Sequence, residues 1–143
     1  MNDSRNKWAY LLLRVAVGIG LTLRGGVRLS KLAKFRDWML GMFEETMLPN
    51  WLVFSWGTLL PILEFGIGLL IVIGLYTQRA LIWGGSMLIV LMIGACFAEQ
   101  WSWIQGQMLY LFAICGLLFC GEKNDFSIDF LIKNFSDERI ENL

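Results

Sequence analysis

A single carboxylate in the middle of an apolar run sets the terms for this chain. Residues 59–75 read Leu-Leu-Pro-Ile-Leu-Glu-Phe-Gly-Ile-Gly-Leu-Leu-Ile-Val-Ile-Gly-Leu, and Glu64 is the one charged residue among them. A helix that crosses about 30 Å of hydrocarbon needs about 20 mostly apolar residues, and residues 51–75 meet that length. On such a helix Gly57, Pro61, Glu64 and Gly68 follow spacings of four, three and four, so they share one small, polar face. The opposite face is Leu, Ile and Val. An ionised side chain inside a membrane is costly, so Glu64 is expected to face the protein interior and find a partner there. The small residues beside it predict close approach of another helix.

Four apolar runs of this kind occupy most of the 143 residues, 57% of which are hydrophobic, and the mean hydropathy is +0.59. Membrane-spanning helices are expected over about 8–29, 51–75, 80–98 and 103–120, with a tail over 121–143. The predicted fold is all-α: a four-helix antiparallel transmembrane bundle, with a short interfacial helix between the first two spans. Residues 1–143 form one membrane domain, with no separate soluble domain. The formal net charge is zero, which leaves no electrostatic case for a nucleic-acid partner. The chain has no histidine. That excludes His-ligated haem, His-ligated copper and a histidine general base, so neither haem nor metal is expected. Cys96, Cys115 and Cys120 are too few and wrongly spaced for a disulfide framework or a Cys-x-x-Cys pair, and read as small core residues. The first run is too long for a signal peptide and lacks a small-residue cleavage site, so a retained helix is expected.

Residues 1–7 are polar and read as frayed. The first span then carries Arg14, Arg24 and Arg28. Arg24, Arg28 and Lys31 fall in one narrow sector, and Gly18, Thr22 and Gly25 form a small face beside it. Arg28 and Lys31 read as snorkelling to the interface. Arg24 lies deeper and needs a partner, for which Glu64 is the best candidate. Within 37–48, Trp38, Met39, Met42 and Phe43 share one face of a short helix that lies in the interface or folds over the bundle mouth. Pro49 ends it, and Trp51 and Trp56 stand where an aromatic belt belongs. The short connection 76–79 forces the second and third spans to be antiparallel neighbours. Gly84, Gly85, Ser86, Gly94 and Ala95 supply small contacts on the third span. On the fourth, Gly106, Tyr110, Ala113 and Cys120 lie roughly along one face, and Gly121 can cap its end. Counting basic residues gives six on one side against three on the other, which favours cytoplasmic N and C termini. Residues 125–132 of the tail are apolar enough to lie on the inner membrane surface.

Several local motifs recur in a recognisable order. Leu13-Arg14-Val15-Ala16-Val17-Gly18 opens the first span, and 25–31 closes it. Thr46-Met47-Leu48-Pro49 follows, then Leu60-Pro61-Ile62-Leu63-Glu64-Phe65-Gly66-Ile67-Gly68-Leu69 and Gly74-Leu75-Tyr76-Thr77-Gln78-Arg79. Asn124-Asp125-Phe126-Ser127-Ile128-Asp129 comes last. Together these resemble the DoxX family of small four-helix membrane proteins, and they cover nearly the whole chain. The resemblance implies a bacterial inner-membrane protein. Relatives include a component of a terminal quinol oxidase system, the small subunit of thiosulfate:quinone oxidoreductase and a membrane protein needed to mature methylamine dehydrogenase. Others join complexes that handle thiol or oxidative stress. The shared theme is redox work at the membrane, usually with a partner protein. Many relatives have His-Gly near the end of the first span, where this chain has Arg24-Gly25, so a mechanism that leans on that histidine does not carry over.

Three function classes follow. The sharpest is a redox-associated subunit near the quinone pool, with quinone bound inside the bundle. Glu64 would handle protons there, and Arg24 or Arg28 would hold a carbonyl oxygen or balance charge. Arg14, Tyr110, Gln105 and Gln107 are secondary candidates. The chain has no evident electron carrier of its own, so electrons would come from a substrate or a partner. The second class is a membrane scaffold or assembly factor, in which Glu64 and an arginine form an ion pair that sets helix register. The third is a small-molecule carrier, which for a protomer this small implies a homo-oligomer. The expected surroundings are a lipid bilayer and either a protein partner or further copies of the chain.

Overall fold

Hydrocarbon is the solvent that fits the outside of this protein. Leu12, Leu23, Val27, Trp83, Leu109, Phe112 and Phe119 all stand exposed around the helices, a surface that a water-soluble monomer does not tolerate. The structure, a computed structural model, describes residues 2–121, 127–129, 132 and 134. The described residues form five helices: α1 (Asn2–Ser30), α2 (Leu32–Met42), α3 (Asn50–Ile73), α4 (Thr77–Phe97) and α5 (Trp101–Phe119). Four of these, α1, α3, α4 and α5, are long and apolar enough to cross a membrane. They close a ring in which α1 packs on α3, α3 on α4, α4 on α5, and α5 back on α1. The end at which α1 stops and α3 starts is called the upper end below.

The α1–α3 interface is the most extensive in the fold, and glycines make it possible. A Cβ on Gly18 would stand 2.7 Å from Cγ2 of Val72. One on Gly25 would run into the backbone of Pro61 and Phe65, and one on Gly68 into the backbone nitrogen of Thr22. The two small faces expected from the sequence are therefore pressed against each other, antiparallel. The core around them is mostly apolar, with Leu21, Leu60, Ile71, Leu81, Leu88, Ile114 and Leu117 buried, and it encloses Arg14 and Thr77 at its lower end. A smaller cluster of Met39, Phe43 and Val53 fastens α2 to the top of α3.

Helix ends differ from expectation where distant residues decide them. Residues 2–7 continue α1 rather than fraying. The short helix begins at Leu32, ahead of the amphipathic segment expected over 37–48, and stops at Met42. Pro49 is the N-cap of α3 in an extended conformation, which suits a residue that has no N–H to satisfy. Gly74, at φ 76°, closes α3 in the left-handed conformation and donates its N–H to the Leu70 carbonyl at 2.9 Å. Gly121 does not play that part for α5, whose C-cap is Cys120 at φ −93°. The fourth span begins at Trp101 rather than 103.

The third span starts at Thr77 rather than 80, and the cause lies in the tail. One Asp129 carboxylate oxygen accepts the N–H of Tyr76 at 2.7 Å, and the other accepts that of Thr77 at 2.8 Å. The Asp129 N–H donates to the Gly74 carbonyl at 3.1 Å. Two orphan donors of α4 are thus satisfied by a residue 52 positions or more away. Ser127 beside it is buried. The described part of the tail therefore docks polar groups onto the α3–α4 turn, whereas the remainder of the segment expected to lie on a membrane surface is outside the described residues.

Two of the three cysteines, Cys96 and Cys115, are not the core residues expected. Cys96 and Cys115 are exposed and Cys120 is half-buried, all three as free thiols. A thiol behaves as a small apolar group, so hydrocarbon accepts it as readily as a core does. On α5, Tyr110, Ala113 and Cys120 pack toward the core, and Gly106 on the same side borders the space beneath α2. Ser86 also points outward, with its hydroxyl returned to the Ile82 carbonyl at 2.9 Å.

Two measurements check this account. Gly68→Ala should lower stability in detergent by about 1–3 kcal/mol, because backbone must move to admit the methyl, while Gly66→Ala, which meets nothing within 4 Å, should be neutral or better. Asp129→Ala should cost about 0.5–2 kcal/mol as a lost helix cap, read by the same thermal unfolding.

Candidate functional site

The upper half of the ring is hollow. A cavity of about 520 Å³ lies between the four spanning helices, with α2 as its roof. Arg24 and Arg28 of α1 and Trp56, Leu60 and Glu64 of α3 form one side. Val90, Leu91, Gly94 and Ala95 of α4 and Ser102, Trp103, Gly106 and Gln107 of α5 form the other. Phe35, Trp38, Met39 and Phe43 of α2 close the top. Small residues on α4 and α5 leave the space open, and large aromatic ones at the roof bound it.

Glu64 is 1% exposed and Arg28 32% exposed, and they form an ion pair with Nη1 to Oε2 at 2.6 Å. The Arg28 guanidinium also lies over the Phe35 ring at 4.8 Å. Phe35 stacks on Trp38 with centroids 5.9 Å apart, and Trp38 meets Trp103 at 5.5 Å. A continuous series of contacts thus runs from the buried carboxylate through α1 and α2 to α5. Deeper in the bundle Arg24 lies over the Tyr110 ring, 4.6 Å from its centroid. Gly20 makes room for that ring: a Cβ there would strike the Tyr110 hydroxyl. Gln107 Oε1 is buried and has no hydrogen-bond partner among the described residues.

The ion pair corrects one expectation. Glu64 takes Arg28, not Arg24, and Arg28 does not snorkel. Helix geometry explains the exchange. Side chains on a helix lean back toward its N-terminus, which on α1 points down into the bundle. Gly25 faces Pro61 and Phe65, so a side chain one turn above Gly25 reaches down to the level of Glu64. Arg24 starts near that level already and is carried below it, to Tyr110.

The other candidates separate by location. Gln107 lines the cavity, Tyr110 supports Arg24 from just outside it, and Gln105 is exposed on the outer side of α5. Arg14 is not part of this site. It is buried in the lower half, where its guanidinium passes Gly74 and has Tyr10 and Asp129 as electrostatic neighbours. The aromatic roof was only partly foreseeable. Trp38, Met39 and Phe43 share the expected face of a helix over the bundle mouth, but Phe35 precedes that segment. It stands four residues before Met39, which is the helical spacing that could have found it. Trp103, in the first turn of α5, meets Trp38 at the cavity wall.

Comparison with known proteins finds no family model, no curated protein and no solved structure that matches the chain.

A double-mutant cycle measures the pair. Arg28→Met strands a buried carboxylate and should cost about 3–5 kcal/mol. Glu64→Gln should cost less, since Arg28 is partly exposed. The double variant should recover much of the Arg28→Met loss in thermal unfolding. Simple additivity of the two losses would mean that the pair is not coupled.

Proposed function

We propose that this chain is a DoxX-like subunit of a bacterial inner membrane that binds a quinone in the cavity beneath α2 and serves a redox partner protein. The observation that carries this reading is an ion-paired carboxylate, Glu64, on the wall of a mostly apolar cavity of about 520 Å³ that also presents Arg24 and Gln107. Small-molecule sites are typically apolar spaces of about 300–1,000 Å³ with a few placed polar groups. The donor set suits a quinone head. Trp38 and Trp103 offer flat faces to a ring, Arg28 and Arg24 offer N–H donors to carbonyl oxygens, and the unpartnered Gln107 Oε1 accepts from a ring hydroxyl. A bound quinone would supply two-electron chemistry coupled to proton uptake. Glu64 would hold or release a proton at its carboxylate, and Arg28 would orient that carboxylate toward the cavity. The roof of α2 would keep bulk water from the site. Electrons would come from the partner, since none of these side chains carries them.

The count of basic residues favours cytoplasmic termini, an orientation that would set the cavity in the outer half of the membrane. The exposed apolar face of α5, with Leu109, Phe112 and Phe119, is open to lipid, to a partner protein or to another copy. A scaffold is the second reading. It is favoured by the same ion pair, which joins the two most closely packed helices and can set their register without any chemistry.

Mass spectrometry of small molecules that co-purify in mild detergent tests these readings, with wild type beside Glu64→Gln. A stoichiometric quinone in the wild type, lost or weakened in the variant, is the expected result. No quinone in either folded sample would favour the scaffold. A different bound metabolite would favour a carrier.

A further inference from the structure

We propose that the cavity takes the head of an amphiphile bearing one negative charge, held at Arg24. This rests on the cavity as a ligand site and deepens that reading by naming the charge of the ligand.

The argument begins with charge. The four spans hold a single acidic residue, Glu64. Its carboxylate is bonded to Arg28, and Arg24 acts on it more weakly from a distance. Two guanidiniums thus share one carboxylate, and the cavity wall has one positive charge in excess. Arg24 makes no ion pair among the described residues. Its close contact is the Tyr110 ring at 4.6 Å, which attracts a cation but supplies no negative charge.

Depth sharpens the point. Tyr110 is the tenth of the 19 residues of α5, so its backbone lies about 13 Å inside the span, and Arg24, an exposed side chain, lays its guanidinium over that ring. A cation without a counter-ion is unfavourable there. A second copy of this chain would not supply the anion, because the one carboxylate at that depth is 1% exposed and already paired. A lipid lying in its own leaflet keeps its phosphate near the interface, not halfway across. The fitting counter-ion is therefore carried in, on the head of a molecule that inserts head-first with its tail in hydrocarbon.

The walls describe that head further. Gln107 stands one turn before Tyr110 on the same side of α5, with its buried Oε1 unpartnered. Trp38 and Trp103, 5.5 Å apart, border the same space. A planar head suits these groups, with one anionic oxygen toward Arg24 and a second oxygen function toward Gln107. Two sources share this chemistry: the ionised hydroxyl of a hydroxylated quinone and the carboxylate of an aromatic acid.

Isothermal titration of the full chain in an uncharged detergent tests the proposal with two matched pairs. One is a 2-hydroxy-3-alkyl-1,4-naphthoquinone and its neutral 2-methoxy ether. The other is a 4-alkylbenzoic acid and its methyl ester. At least one acid should bind about tenfold or more tightly than its neutral partner, as expected for one charge-assisted contact. Arg24→Gln should erase that gap while leaving the neutral probe unchanged, and Arg24→Lys should retain most of it. A gap with the naphthoquinone alone assigns the anion to a ring hydroxyl. A gap with both acids assigns it to anionic amphiphiles in general. Equal binding of acid and neutral probe, or a gap that survives Arg24→Gln, overturns the charge assignment and leaves the cavity reading intact. No binding of any probe to folded protein overturns both.

Discussion

A carboxylate that cannot be left in hydrocarbon organises the bundle. Glu64 must turn inward, and the face it turns with it carries Gly57, Pro61 and Gly68. That face is narrow enough for α1 to approach until backbone meets backbone at Gly25 and Gly68. Arg28 then reaches the carboxylate from one turn above. The ion pair and the glycine contacts specify the same register, since sliding α1 by a turn would separate Arg28 from Glu64 and drive side chains into the opposing backbone. Buried ion pairs add little net stability but penalise alternatives strongly, which is the role a register needs.

The three arginines of α1 show how differently one residue type can be accommodated. Arg14 is enclosed in the lower half near Tyr10 and the Asp129 clasp. Arg28 has a carboxylate and a phenyl ring. Arg24 has a tyrosine ring alone as its close contact. In the lower half the tail is pinned across the α3–α4 turn. The upper half has α2 as a roof, fastened by Met39, Phe43 and Val53, above a cavity. The cavity of about 520 Å³ in that half has Arg24, Arg28 and Glu64 on its wall, which sets it apart from the rest of the bundle by charge.

Much of this architecture was legible in the sequence because a membrane permits so few solutions. Backbone polar groups in lipid must be satisfied within each segment, so long apolar runs in this chain imply helices, and short connections imply antiparallel neighbours. Glu64, Gly18, Gly25 and Gly68 could be assigned to packed faces from spacing alone. The direction in which each face points follows from the one charge that must be hidden. Cys96 and Cys115 were misplaced for the same reason that the helices were found: hydrocarbon lies both inside and outside, so hydropathy does not tell core from lipid surface.

Sequence by itself determined the four spans, the inward face of α3 and the need of Glu64 for a partner, because these depend on local periodicity and on the cost of charge in lipid. Tertiary structure alone decided which arginine is that partner, because the choice turns on the relative height of α1 and α3 and on the downward lean of side chains. It also decided where α4 starts, since its cap is supplied by Asp129 from the far end of the chain. Last, it decided that Phe35, Trp38 and Trp103 meet over a cavity, because a void is a property of how helices stand around a space and is written in no single helix.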